Sequence, residues 1–465
     1  RYIDFDNERL VTSMSSNEGP AMAVEDLNKD GKADFFIGGA KNQSGKLFLS
    51  RAHGYDEINS PFMNDAKGED TDALFFDGDG DGDFDLYVCH GGKAFSPYAI
   101  ALNDAYYENK ANTFIKAPQS PVFPSTISTS VVTAADYDND GDLDLFVGER
   151  YKTNLYGKPG SGYLLENDGK GDFKVKKNKI FTDLGMITGA QWSDLNQDGW
   201  VDLIVLGEWM PVKIFINQNG TLSDQSKSFD LTGTSGLWTS LEVSDIDNDG
   251  DFDILAGNIG RNTFYEEKMK MFLADFDNNG YQEQIICKQV HGRYYPITDK
   301  DELVSQIPSL KKKLLYYADY AKADMASIFS EELLKNASTS EIDIVESTVF
   351  FNENGKFVAK KLPNEIQYAP VYAITIADIN EDGYEDLFFG GNQYLVKPQF
   401  GRYDASKGWA IFGPFLSEEN KPETTPLYID GQIRQLQWVE HEGQKVLVVG
   451  KNNEQIQFYD YKNMP

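Results

Sequence analysis

The stretch Asp136-Tyr-Asp-Asn-Asp-Gly-Asp-Leu-Asp144 puts oxygen side chains at positions 1, 3, 5 and 9 and a glycine, Gly141, at position 6. Oxygen ligands on alternate residues, closed by a glycine that permits a sharp turn, make a cage for a hard cation. Ca2+ accepts ~6–8 oxygens at ~2.3–2.6 Å, and the carbonyl of position 7 can supply one more. Short apolar runs flank the stretch, Val131-Val-Thr-Ala-Ala before it and Leu145-Phe-Val-Gly after it. They are strand-length, rich in β-branched residues and too short for helices, so the cage sits at a β-hairpin turn.

The same template recurs six more times, which separates it from an ordinary polar turn. The candidate ligands are Asp26, Asn28, Asp30 and Asp34; Asp77, Asp79, Asp81 and Asp85; and Asp136, Asp138, Asp140 and Asp144. They continue as Asp194, Asn196, Asp198 and Asp202; Asp245, Asp247, Asp249 and Asp253; Asp275, Asp277, Asn279 and Glu283; and Asp378, Asn380, Asp382 and Asp386. Twenty-four of these are carboxylates, and without cations each cluster would repel itself. About seven Ca2+ sites are expected. An EF-hand is excluded, because position 12 holds Ile37, Val88, Val147, Val205, Ala256, Ile286 or Phe389 where that motif needs a bidentate Glu.

The first Asp of successive turns advances by 51, 59, 58, 51, 30 and 103 residues. A step in the fifties fits one four-stranded sheet per repeat, the arithmetic of a β-propeller blade. Each repeat reads strand A, acidic turn, strand B, loop, strand C, tight turn, strand D, with Tyr163–Phe173 and Phe350–Phe357 as the clearest C–D hairpins. The 30-residue step leaves no room for a blade, so 261–345 is expected to be an insertion between strands B and C of blade five. An alternative has Asp275–Glu283 close the C–D hairpin of that blade. The insertion also carries the one helical stretch, with Thr298–Asp301 as a capping box, Pro308 in a first turn, and Leu310, Leu314 and Tyr317 on one face.

A last unit, Arg434–Gly443 followed by Val446-Leu-Val-Val-Gly450, keeps the hairpin but replaces the first Asp with Trp438. The expected fold is therefore all-β: one seven-bladed β-propeller over 1–465, with calcium-binding A–B turns and a partly helical insertion. Tyr2–Phe5 is the expected strand that closes the ring beside Gln455–Tyr461.

Composition narrows the function. With 74 acidic against 43 basic residues the net charge is −31, a poor match for nucleic acid. No run approaches the ~18–20 apolar residues of a transmembrane helix. Cys89 and Cys287, the two cysteines, read as buried small hydrophobes, and four histidines are too few for clustered imidazole chemistry. The opening Arg1-Tyr-Ile-Asp4 is not a signal peptide and reads as a mature or trimmed end.

The repeats resemble the FG-GAP/VCBS class, whose turns are similar to the calcium loops of the integrin α-subunit propeller. Glu18-Gly-Pro-Ala21, Gly207-Glu-Trp-Met-Pro211, Pro308-Ser-Leu-Lys-Lys312, Phe400-Gly-Arg-Tyr-Asp404 and Ala369-Pro370 resemble strings in large surface propeller proteins of Bacteroidota. This resemblance implies an exported protein on the bacterial cell surface, at the outer membrane or outside it, sometimes beside nutrient importers. It supplies neither a ligand nor a reaction.

Antiparallel strands put every A–B turn on one face of the disc and every B–C loop on the other. The loop face collects His90, Arg150, Trp209, Asn258, Arg261, Asn392, Arg402 and Tyr403 as candidate ligand-binding residues. Aromatic planes with amides and mixed charges suit sugar rings or a protein surface, whereas Trp209 and Tyr403 could instead pack between blades. The expected function is non-enzymatic: a calcium-stabilised surface protein that captures a glycan, peptide or partner protein. One alternative is an accessory subunit of an outer-membrane import complex. Another is a polysaccharide lyase or hydrolase, for which no acid/base pair outside the turns presents itself.

Overall fold

Each acidic turn joins two antiparallel strands, as the flanking apolar runs require. The computed structural model describes residues 2–17, 19–58, 60–118, 123, 126–153, 155–414, 422–441 and 443–463; Arg1 and Glu18, quoted above, lie outside them. The first sheet runs Met22–Glu25, Asp34–Ile37, Lys46–Ser50, Tyr55–Ile58, in the spatial order A-B-C-D. The second, third and fourth repeat that order with A strands Asp70–Phe76, Ser128–Ala135 and Met186–Ser193. In the fifth, Ser240–Ser244 and Asp253–Gly257 pair onward to Thr348–Asn352 and Phe357–Lys361. The sixth begins at Val371–Ala377, and the seventh holds three strands, Ile433–His441, Gln444–Lys451 and Gln457–Asp460.

The seven A strands neighbour one another in chain order, and Met22–Glu25 also meets Ile433–His441, so the ring closes. The fold is a β-propeller. Its core lies between sheets: Phe36 and Leu47 pack with Leu86 and Tyr107, Phe146 with Leu203 and Phe215, and Phe388 with Leu436 and Leu447. Strands B, covered on both faces, are buried nearly throughout, as in Asp144–Tyr151. Near the axis, hydroxyls tie the second sheet through to the sixth. Thr71 Oγ1 donates to the Thr129 carbonyl (2.8 Å), Ser130 Oγ to Ile187 (2.7 Å), Thr188 Oγ1 to Trp238 (2.8 Å) and Ser240 Oγ to Val371 (2.9 Å).

A separate sheet, Arg293–Pro296, Glu283–Val290, Lys270–Ala274, Ser338–Glu341, lies in the chain between strands B and C of the fifth sheet. The turn Asp275–Glu283 joins two of its strands and closes no hairpin of the fifth sheet. The helix after it, Lys300–Gln306, is capped by Asp299, whose carboxylate accepts from the Glu302 N–H. The N-cap is therefore Asp299, one residue later than the expected Thr298. Leu310 and Leu314 are buried, but Tyr317 is exposed, because the chain turns at Lys313 and its phenol bonds Asp301 outside the core.

The N-terminal segment corrects another expectation. Asp4–Asn7 is a helical turn, and nothing among the described residues pairs Tyr2–Phe5 with Gln457–Asp460. Asp4 folds the segment back, its carboxylate accepting from the Ser15 and Ser16 N–H groups at 2.8 and 3.2 Å. The segment then crosses the loop face: Leu10 is buried among insertion residues, Ser13 bridges Val396, and Met14 N–H bonds the Leu395 carbonyl (2.8 Å). Burial of Leu10, Val11 and Met14 outweighs what one more edge strand would gain. Glu8 meets Lys93, an ion pair almost wholly removed from solvent.

Candidate metal centres and the loop face

The seven turns share one hydrogen-bond pattern. Position 1 accepts from the position 6 N–H in every copy, as in Gly31 to Asp26 (2.9 Å), Gly82 to Asp77 (3.1 Å), Gly199 to Asp194 (2.8 Å) and Gly280 to Asp275 (2.7 Å). Position 5 accepts from the N–H of position 7, as in Trp200 to Asp198 and Tyr281 to Asn279 (2.9 and 2.8 Å). The backbone is left-handed at positions 4 and 6; Asn139 has φ 58° and Gly141 φ 100°. A side chain at position 6 would strain that second turn, which is why the glycine recurs.

This geometry fits a divalent cation. Carboxylate oxygens of Asp77, Asp79 and Asp81 lie within 4.8 Å of one another, and so do those of Asp136, Asp138 and Asp140. Asp245, Asp247 and Asp253 converge in the same way, as do Asp275, Asp277 and Glu283. In the other three turns Asn28, Asn196 and Asn380 offer an amide oxygen at position 3. Asp138 Oδ1, Asp144 Oδ2 and Asp277 Oδ1 are buried oxygens without a hydrogen-bond partner. A cation among them would satisfy what the protein leaves open.

Position 9 does more than the spacing suggested. It is buried at every copy, and in six copies one carboxylate oxygen accepts from the backbone at the end of strand C: Ser50 (2.6 Å), Asn109 (2.7 Å), Asn167 (2.8 Å), Asn217 (2.7 Å), Asn352 (2.9 Å) or Gly413 (3.0 Å). In six turns the other oxygen takes the N–H of position 2, for example Leu195 to Asp202 at 3.1 Å. Burial pushes Asp144, Asp202, Asp253 and Glu283 up to about 7, against the hydrogen bonds that lower them.

The asparagine ending strand C was missed in the sequence. Asn167 Nδ2 donates to the Gly78 carbonyl of the preceding turn (2.8 Å), and Asn217 Nδ2 to that of Tyr137 (2.6 Å). Each thus staples its own C–D turn to the neighbouring acidic turn. The signal was legible as Asn-x-x-Gly at Asn217-Gln-Asn-Gly220 and Asn352-Glu-Asn-Gly355. Asn217→Ala, which leaves the Tyr137 and Val201 carbonyls short of a donor, is expected to cost about 1–3 kcal/mol in urea unfolding.

On the loop face, four candidate residues prove internal. His90 is buried, Nε2 3.1 Å from Asp70 and Nδ1 2.6 Å from the Asn103 carbonyl. Burial works against its charge, yet the Asp70 carboxylate outweighs it and raises the imidazole above its ordinary value. Asn258 bonds the Ile344 carbonyl through Nδ2 (3.0 Å), and Asn392 bonds those of Ser406 and Gly431 (2.9 and 2.8 Å). Trp209 packs under the insertion, its indole N–H on the Tyr156 hydroxyl at 3.0 Å. These four tie loops and offer no contact surface, because burial and internal bonds consume them. Tyr403 is also buried, its hydroxyl facing Phe264 N–H. Arg150 pairs with Glu208 at 2.6 Å. Arg261 and Arg402 are more than half exposed; Arg261 reaches Glu346 at 3.5 Å, and Arg402 stacks 3.8 Å from the Tyr394 ring.

A ring of sheets whose A–B turns carry repeated acidic clusters defines a β-propeller with acidic turns. The chain carries FG-GAP-like repeats: the family model described as FG-GAP-like repeat matches residues 77–147 and 194–256. No curated protein matches the chain. Similar solved structures include Saccharomyces cerevisiae Sqt1, at 8% identity and TM-score 0.47, covering 97% of this chain and 98% of that one. The Dos1 propeller has 11% identity and TM-score 0.42, covering 96% and 94%. BBS1N in complex with ARL6DN has 12% identity and TM-score 0.43, covering 94% and 91%. Among the described residues no helix is long and apolar enough to cross a membrane.

Proposed function

We propose that the chain is a calcium-stabilised, non-enzymatic binding protein, exported to the bacterial cell surface or beyond it. In this reading 1–465 is a single seven-bladed propeller with 261–345 inserted in blade five, and about seven Ca2+ ions pin its turns. The observation that carries the reading is the shared hydrogen-bond geometry of the turns, with buried carboxylate oxygens left open. Modules of this type with affinities of ~10⁻⁴–10⁻³ M work where calcium is abundant, which supports an extracellular setting. The ligand is a glycan, peptide or partner protein held on the loop face, where Arg261 and the Arg402–Tyr394 stack remain accessible.

A second reading, a subunit docked on an outer-membrane import complex, is favoured by the exposed run Leu315-Tyr316-Tyr317 on the insertion. A glycan array and a surface pull-down with calcium-saturated protein separate the two. Under the first reading a hit weakens about tenfold or more in Arg402→Ala. Under the second, co-purifying importer components disappear in a Leu315→Ser/Tyr316→Ser double variant. Polysaccharide cleavage by the wild-type protein would overturn both.

A further inference from the structure

The A strands enclose an axial channel of about 250 Å3. Thr71, Ser130, Thr188 and Ser240 line it, each with its hydroxyl hydrogen already given to a backbone carbonyl, so their remaining lone pairs act as acceptors. Three carboxylate residues join them, Glu69, Asp72 and Glu242; Asp72 and Glu242 come from A strands three places apart in the ring of seven and therefore lie across the channel from each other. Asp72 accepts from the Ala73 and Val132 N–H groups, both at 2.9 Å. Glu242 meets no hydrogen-bond donor and no cation among the described residues. The Glu242 residue is partly buried and lines the channel.

Burial alone acts on the Glu242 carboxyl and pushes it up to about 7; Asp72 is raised to about 7 by burial against its two backbone bonds. No positive side chain offsets either. The arginines of the same channel are engaged elsewhere, Arg150 on Glu208 and Arg434 on the Asn392 carbonyl and Gln393 Oε1 at 2.9 and 3.0 Å. An ionised carboxylate without a partner in such surroundings is costly, and the acceptor lone pairs beside Glu242 and Asp72 suit a donor-rich cation.

We propose that this channel binds one small cation that carries hydrogen-bond donors, with Glu242 as its principal contact and Asp72 opposite. A hydrated divalent metal ion and the ammonium end of an organic ligand share that chemistry. The site is distinct from the acidic turns, since Glu242 lies within strand Ser240–Ser244 and not in the loop that follows.

Two measurements on the full chain in excess calcium test it. Equilibrium dialysis counts bound Ca2+ in the wild type and in Glu242→Gln; a metal ligand predicts one ion fewer in the variant. Calorimetric titration with butylammonium measures the other source; an amine ligand predicts an unchanged calcium count and at least tenfold weaker binding in Glu242→Gln. Asp72→Asn should show a smaller loss of the same kind, because both its oxygens already accept bonds. Glu242→Gln keeps the shape of the side chain, and a melting curve in calcium verifies that it is folded. An unaltered calcium count together with butylammonium binding that is absent, or equal in the two proteins, overturns the proposal. Loss of calcium from the acidic turns themselves would sink the metal-turn reading while leaving the amine arm intact.

Discussion

Chelation is expected to lower the melting midpoint of this protein by roughly ten degrees or more. A ligand that binds only the folded chain stabilises it by RT ln(1+[L]/Kd), about 2.7 kcal/mol per site at a hundredfold excess over Kd. On the proposed reading several such sites act on one closed ring, and their loss would also expose the self-repulsion of each carboxylate cluster. The pH dependence has a definite sign. With the ions removed, Asp144, Asp202, Asp253 and Glu283 sit near 7 in the folded chain against about 4 unfolded. Groups raised in this way favour the folded state below the unfolded value and withdraw that support as pH climbs through the folded one. The chelated protein should therefore melt higher at pH 5 than at pH 8, and the gain on adding calcium should be larger at pH 8. Calorimetry at both pH values, with and without chelator, reads both effects. A melting curve indifferent to excess chelator, with no metal retained, removes the calcium reading.

The turns were legible because their signal is repeated and local. Seven copies of one spacing fix positions 1, 3, 5, 6 and 9 with no knowledge of tertiary contacts, and the strand-length flanks settle which elements the turn joins. The order A-B-C-D followed from the same arithmetic. What the spacing did not reveal depends on single residues meeting across long separations. Glu8 with Lys93, and Leu10 with the insertion core around Leu303 and Ile307, leave no periodic trace, so the N-terminal segment was read as a closing strand. The loop-face residues failed for a related reason. His90, Asn258 and Asn392 follow B strands because the chain needs side-chain bonds where the ladder ends, and position alone does not separate such ties from a binding surface.

Asp202→Ala should be the most damaging single substitution in an acidic turn, and damaging with or without calcium. Its carboxylate holds the Asn217 N–H at 2.7 Å and the Leu195 N–H at 3.1 Å, in a place without solvent access. Truncation strands both donors, at about 1–3 kcal/mol each, and frees the end of strand C, from which Asn217 reaches the third sheet's turn. A loss of about 3–5 kcal/mol in urea unfolding is expected even in chelator. Asp198→Ala, at position 5 of the same turn, provides the contrast. Asp198 is exposed and accepts only from the Trp200 N–H within the turn, so its structural cost is small and its main loss is one metal oxygen. The two variants should therefore both fall below wild type in calcium, whereas in chelator Asp198→Ala rejoins wild type and Asp202→Ala stays far below. Equal behaviour of the pair in both conditions would mean that position 9 is a metal ligand and nothing more, and that the turns are joined to the C strands by some other means.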